Sequence, residues 1–188
     1  MSDNQVDWRT VLQAAAQSEP DKLAFRFTAK DDGVTADATY GELDRRARAI
    51  GAQLTHLGLA GRPALLLYPP GLDYVEAFFG CLYSGVIAVP AYPPTGQPRS
   101  TQRLARIALD CAATAALTTP AGVAHLTARM SALPEVADLA VIGTAADTDD
   151  TEVVVLMARD LDHLRQTHSR YFRTARQLFQ AASRLAIA

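Results

Sequence analysis

Apolar positions recur along the chain with two periods, near 3.6 and near 2, and the switches between them outline its elements. Residues 6–17 place Trp8, Leu12 and Ala15 or Ala16 on one side of a helical register that Pro20 stops. Leu23 to Thr28 (LAFRFT) alternates as a short strand, and Lys30, Asp31, Asp32 and Gly33 then supply turn chemistry. Thr39 and Glu42 stand at capping-box spacing, each side chain satisfying the other residue's orphan backbone donor. Leu43, Ala47, Ile50 and Leu54 continue that helix, and Gly58 falls where a left-handed cap is expected.

Ala64 to Tyr68 (ALLLY) is uninterrupted and apolar, as expected of a strand covered on both faces. Asp73 to Ser84 predicts a buried helix, its apolar surface nearly encircling, with Gly85 as its cap. Val86 to Val89 (VIAV) then reads as a second buried strand, which completes a compact βαβ unit. A helix from Ser100 or Thr101 to about Ala112 carries Leu104, Ile107, Ala108 and Cys111 inward. Ala115 to Thr118 is a strand, Thr119 an N-cap, and Pro120 the first residue of a helix reaching about Ala132. Leu139 to Ile142 closes the series as another strand. This alternation predicts an α/β fold: an open, mostly parallel sheet with helices on both faces.

The pattern changes near Thr144. Residues 1–143 read as one α/β subdomain, 144–152 as an acidic linker, and 153–188 as a strand followed by a long amphipathic helix. The helix, Asp160 to Ala186, carries arginines at 165, 170, 173, 176 and 184 on its polar face. From Arg159 onward six arginines meet two aspartates, whereas the whole 188-residue chain has a net charge of -2. With 18 basic and 20 acidic residues no global positive field exists, which argues against nucleic acid as a partner. Hydrophobic residues make up 49% of the chain, enough to bury a core and to exclude disorder for most of it. No signal peptide opens the chain and no stretch is apolar enough to span a bilayer, so a soluble, cytoplasmic protein is expected.

Chemistry-bearing motifs are sparse. Cys81 and Cys111 read as buried free thiols, with no Cys-x-x-Cys pair. His56 and His125 fall on separate helices, and His163 and His168, five apart, sit roughly 140° apart around a helix. No metal site follows from them. No nucleophile elbow, dinucleotide fingerprint or Walker loop occurs, and no carboxylate pair stands out, so no catalytic residue is assigned. Two loops remain as candidates for substrate binding. Tyr68, Pro69, Pro70 and Gly71 follow one strand, and Tyr92 belongs to a second proline-rich loop after the next. Both leave the carboxyl end of a strand, the edge where open α/β sheets bind ligands.

Three blocks resemble the N-terminal region of fatty acyl-AMP ligases, of the adenylate-forming and acyl-CoA synthetase superfamily: TYGELDRRARAIGAQL, ALLLYPPGLDYVEAFFGCLYSGVIAVPAYPP and RSTQRLARIALDCAATAALTT. The middle block is the specific one; the Thr-Tyr-x-Glu-Leu element is shared more widely. The resemblance spans about Val6 to Ile142. It implies the N-terminal subdomain of the adenylate-forming fold and an activity joining fatty acid to AMP, with ATP and magnesium as cofactors. A fatty acid and an acyl-carrier protein are the partners it implies. The family's phosphate-gripping loop, rich in Ser, Thr and Gly and ending in Pro-Lys-Gly, has no match here, nor does its catalytic lysine. Lys22 and Lys30 are the only lysines, in no matching motif. The resemblance thus implies a section truncated before that loop, needing no cofactor alone and inactive alone. Other expectations are a non-catalytic module that docks its arginine-faced helix on a membrane or partner, and a subunit completing another polypeptide.

Overall fold

A strand without a polar position needs cover on both sides, and the computed structural model shows how the chain supplies it. The structure describes residues 7–28, 35–131, 133–145 and 154–157. The helix expected over 160–186, His163, His168 and the acidic residues 147–152 lie outside them. Strand β1 (Leu23–Thr28) pairs antiparallel with β2 (Thr35–Thr39) in a two-stranded ribbon that follows helix α1 (Trp8–Ser18). Next come α2 (Tyr40–His56), β3 (Pro63–Leu66), α3 (Leu72–Ser84), β4 (Ile87–Pro90) and α4 (Pro98–Asp110). The chain continues through β5 (Ala115–Thr118), a 3-10 turn (Pro120–Gly122), α5 (Val123–Met130), β6 (Ala140–Gly143) and β7 (Val154–Met157).

The main sheet has the order β4-β3-β5-β6-β7; its first four strands are parallel and β7 runs antiparallel to β6. From β3 the chain steps one way to β4, then crosses back over β3 to β5 and on to β6. Right-handed crossovers in opposite directions put their helices on opposite faces. The packing agrees. Ala64, Leu66, Tyr68, Ala115 and Leu117 lie in one apolar cluster with Ile50 and Leu54 of α2 and Ala77 and Cys81 of α3. Leu65, Leu67, Ala116 and Val141 lie in the other, with Leu104 and Ala108 of α4 and Leu126 and Met130 of α5. Period-2 alternation thus buries every residue from Ala64 to Tyr68, some toward each layer. Each fully buried leucine there contributes roughly 1.5–3 kcal/mol.

Helix α2 starts as its sequence predicts: Thr39 Oγ1 accepts from the Glu42 amide, and Glu42 Oε2 accepts from the Thr39 amide at 2.9 Å. Gly58 and Gly85 end α2 and α3 with φ of +69° and +71°. One element is added and three expectations are corrected. The ribbon's second strand, β2, is not among the expected elements: its period-2 alternation rests only on Ala36 and Ala38, and it forms by pairing with β1. Trp8 does not face inward with Leu12; it is 61% exposed, because α1 packs on α2 through Leu12. Strand β4 is not buried between neighbours. It is the sheet's edge, so Ile87 is 53% exposed. Helix α3 is buried along one stripe only, and its Phe78 and Phe79 stay half-buried.

Cys81 sits fully inside the layer beneath α2 and α3, and burial pushes its thiol up from 9.0 to about 12. Burial also raises the Tyr68 phenol. Above the unfolded-state values the unfolded chain loses these protons and the folded chain keeps them, so unfolding becomes more favourable as pH rises. The melting temperature should therefore fall steadily from about pH 9 to 12. Cys81→Ala should flatten the first part of that decline, and equal slopes in the two proteins would refute the assignment.

Candidate functional site

The reversal of strand order leaves a crevice at the carboxyl ends of β3 and β5, because the chain leaves them toward opposite layers. After β3, Leu67-Tyr68-Pro69-Pro70-Gly71 leads into α3; after β5, Thr119 leads into the 3-10 turn, whose Gly122 amide it caps. Hydrogen bonds tie these exits and that of β6 together. Thr118 Oγ1 donates to Leu67 O at 2.9 Å, and the Thr144 amide donates to Thr118 O at 3.0 Å. Tyr68 Oη and Thr144 Oγ1 lie 2.7 Å apart, both buried. Gln53 of α2 extends the tie by donating from Nε2 to Ala145 O at 2.9 Å. Glycine makes the close approach possible: a Cβ on Gly143 would lie 2.8 Å from Pro120 Cα.

Above this edge opens a cleft of about 470 Å³. Gly71, Leu72 and Asp73 at the start of α3, Pro120 and Thr144 form its floor, and Phe27 with Ala36 of the ribbon forms one rim. Arg46 of α2 and Glu76 of α3 form another wall, paired at 2.7 Å between Nη1 and Oε1, with the Glu76 carboxylate nearly inaccessible. Among the described residues the lining thus holds one guanidinium, Arg46, and two carboxylates, Asp73 and Glu76. The lining is otherwise largely apolar.

Of the residues singled out in the sequence, Gly71 lines this cleft. Tyr68 lies under it, 4% exposed, with its ring in the apolar layer and its hydroxyl on Thr144. Pro69 and Pro70 are exposed on the connecting loop. Tyr92 projects into solvent, 82% exposed, from a loop that the chain carries toward α4 beyond the edge strand. The five therefore do not gather into one site. Sequence reading missed Arg46, Glu76 and Thr144. Glu76 did leave a signal: it is the one charged residue after the first turn of an otherwise apolar helix, and a carboxylate there needs a partner.

The donor set does not fit a nucleotide triphosphate with its magnesium. A phosphate chain calls for fixed cations and amide donors, whereas this wall carries more carboxylates than guanidinium groups. Among the described residues no three side chains of His, Cys, Asp or Glu cluster as a metal site. No step through ATP is therefore assigned to these residues. Among them, too, no helix is long and apolar enough to cross a membrane.

An open α/β sheet with its cleft at the strand reversal defines a fold of the doubly wound kind, the class in which that edge is the usual place for ligands. Comparison with known proteins narrows this. The family model for AMP-binding enzymes matches residues 12–184, and the chain belongs to that family. It is 41% identical over 107 residues to the long-chain-fatty-acid–AMP ligase FadD32 of Mycobacterium marinum, covering 55% of this chain and 17% of that protein. It is 38% identical over 110 residues to the medium-chain-fatty-acid–[acyl-carrier-protein] ligase JamA of Moorena producens, covering 57% and 19%. The crystal structure of fatty acyl-adenylate ligase from L. pneumophila, in complex with acyl adenylate and pyrophosphate, superposes with a TM-score of 0.56. Sequence identity there is 35%, over 62% of this chain and 20% of that one. The resemblance to fatty acyl-AMP ligases read from the sequence holds, and the chain spans a fifth or less of the length of these relatives.

Proposed function

We propose that the chain serves fatty acid activation, as the N-terminal section of an enzyme that joins a fatty acid to AMP and passes the acyl group to a carrier protein. The observation that supports this most is the 41% identity to a long-chain-fatty-acid–AMP ligase. It falls on a chain with the same open sheet, and the solved relative of that fold was crystallised with acyl adenylate and pyrophosphate. The carrier protein enters through the name of the JamA relative, an acyl-carrier-protein ligase. ATP and magnesium belong to this reading as the reagents of the full reaction. In it, Gly71 borders the cleft at the sheet edge, Tyr68 holds the cleft floor from beneath, and Pro69, Pro70 and Tyr92 shape the loops around that edge.

An exchange of segments tests the reading. The 107 matched residues of the Mycobacterium marinum ligase are replaced by those of this chain, and fatty-acid-dependent ATP–pyrophosphate exchange is measured. The chimera should retain exchange within about tenfold of the parent, because the exchanged segment carries no assigned catalytic residue and a tenfold change is about 1.4 kcal/mol of transition-state stabilisation. A chimera that melts like the parent yet exchanges nothing would overturn it. The chain by itself should exchange no more than a protein-free blank, because its cleft wall supplies no surplus of cations.

A further inference from the structure

Tyr68 and Thr144 meet through two hydroxyls, and either oxygen is geometrically able to donate. Chemistry decides between them. A phenol carries one proton, and burial pushes the Tyr68 ionisation upward, so the proton stays on Oη. Among the described residues its one hydrogen-bond partner is Thr144 Oγ1. Were Thr144 the donor, the phenol proton would be left without an acceptor inside an apolar layer of Leu66, Ala77 and Cys81. Tyr68 therefore donates and Thr144 accepts. That leaves the threonine's own proton to point elsewhere, and Thr144 lines the cleft. Its backbone cannot swing away, because its amide is bonded to Thr118 O at 3.0 Å and the next carbonyl to Gln53.

We propose that Thr144 is a ligand-binding residue of the cleft, its hydroxyl proton turned inward by Tyr68 to hold a neutral hydrogen-bond acceptor on an apolar molecule. The neutrality follows from the walls. Among the described lining residues Asp73 and Glu76 oppose the single guanidinium of Arg46, so a free carboxylate or phosphate meets more repulsion than attraction from them. Phe27, Leu72 and Pro120 offer the apolar contact. The ligand class is thus a ketone, ester or tertiary amide carbonyl carried on an aliphatic body. This assignment goes beyond the fatty acid activation reading and does not depend on adenylation taking place.

The test uses the whole chain and two probes of equal chain length, N,N-dimethyloctanamide and sodium octanoate, titrated while the amide NMR signals of Gly71, Asp73 and Thr144 are followed. The amide should give saturable shifts, and octanoate should bind at least about fivefold more weakly. Thr144→Ala should weaken amide binding about five- to tenfold, and Thr144→Ser, which keeps the hydroxyl, should stay within about twofold of the parent. Absence of saturable shifts with the amide would overturn the proposal. So would octanoate binding as tightly as the amide, or a folded Thr144→Ala chain that binds the amide as the parent does. Should Thr144→Ala not fold, the comparison of the two probes on the parent chain decides alone. Pyrophosphate exchange by the chimera is a separate readout, so either idea can fail without the other.

Discussion

Gly80→Val should lower the unfolding free energy by about 3 kcal/mol, at the upper end of the range for overpacked interiors. Helices α2 and α3 cross with almost no space between them. A Cβ built on Gly80 would lie 2.5 Å from Ile50 Cγ2 and 2.8 Å from Ile50 Cβ, and one on Gly51 would lie 3.2 Å from Gly80 O. Neither contact relaxes by turning a flexible side-chain end, since Ile50 is itself 2% exposed and branched at that atom. Gly80→Ala is the gentler probe. It gains about 1 kcal/mol of helix propensity and loses more than that to overlap, for a net cost of about 1 kcal/mol. The contact is identified by coupling rather than by size. Combined with Ile50→Ala, which removes Cγ2, the Gly80→Ala change should cost at least about 1 kcal/mol less than it does alone. Urea unfolding of the four proteins measures this, and strict additivity would mean that the helices shift apart instead.

The second large effect concerns the cleft wall. Arg46→Met should cost about 2 kcal/mol, because it leaves the Glu76 carboxylate inside the α2–α3 layer without the guanidinium 2.7 Å away. The figure is set below the full penalty for breaking a buried pair because 22% of the Arg46 side chain is accessible, so water screens part of it. Arg46→Met combined with Glu76→Leu should recover most of the loss, since an apolar pair of similar volume removes the buried carboxylate itself. If Arg46→Met alone lies within about 0.5 kcal/mol of the parent, the level of ordinary surface changes, the pair is not structural.

Local chemistry was the most legible part of the chain. The Thr39–Glu42 box, the glycines that end α2 and α3, and Thr119 before Pro120 each act within a few residues, and each forms where its pattern stands. The apolar runs at Ala64 and Ala115 were equally plain, because burial on both faces admits a polar residue only where it is hydrogen-bonded, as Thr118 is at the end of β5. Neighbour relations were not legible. VIAV reads like an inner strand, yet β4 lies at the sheet edge: an apolar run records the layers above and below a strand, not whether it has a partner on each side. Strand β2 depends on β1, eleven residues apart at the Arg26–Asp37 pair, and the alternation in TADAT rests on two small alanines that carry little apolar signal.

The same limit applies to the site. The proline-rich loops were found because strand ends are marked in sequence, and one of their residues, Gly71, does border the cleft. Arg46 and Thr144 were not found, because what makes them matter is a neighbour 30 or 76 positions away. Tyr68 was singled out as part of a loop at a strand end, whereas its contribution is a buried hydroxyl bonded to Thr144 of the cleft lining.

The central place of β3 also sets an order of assembly. As the chain leaves the ribosome, β3, α3 and β4 emerge together and can close as a local unit, since β4 follows β3 within 28 residues. The other side of β3 waits for Ala115–Thr118, about fifty positions later. Until then this apolar strand has one unpaired edge, while α4, whose apolar stripe covers one of its faces, is already being made. The strand reversal that creates the cleft therefore also creates an interval in synthesis when Leu65 and Leu67 are open to the wrong partner.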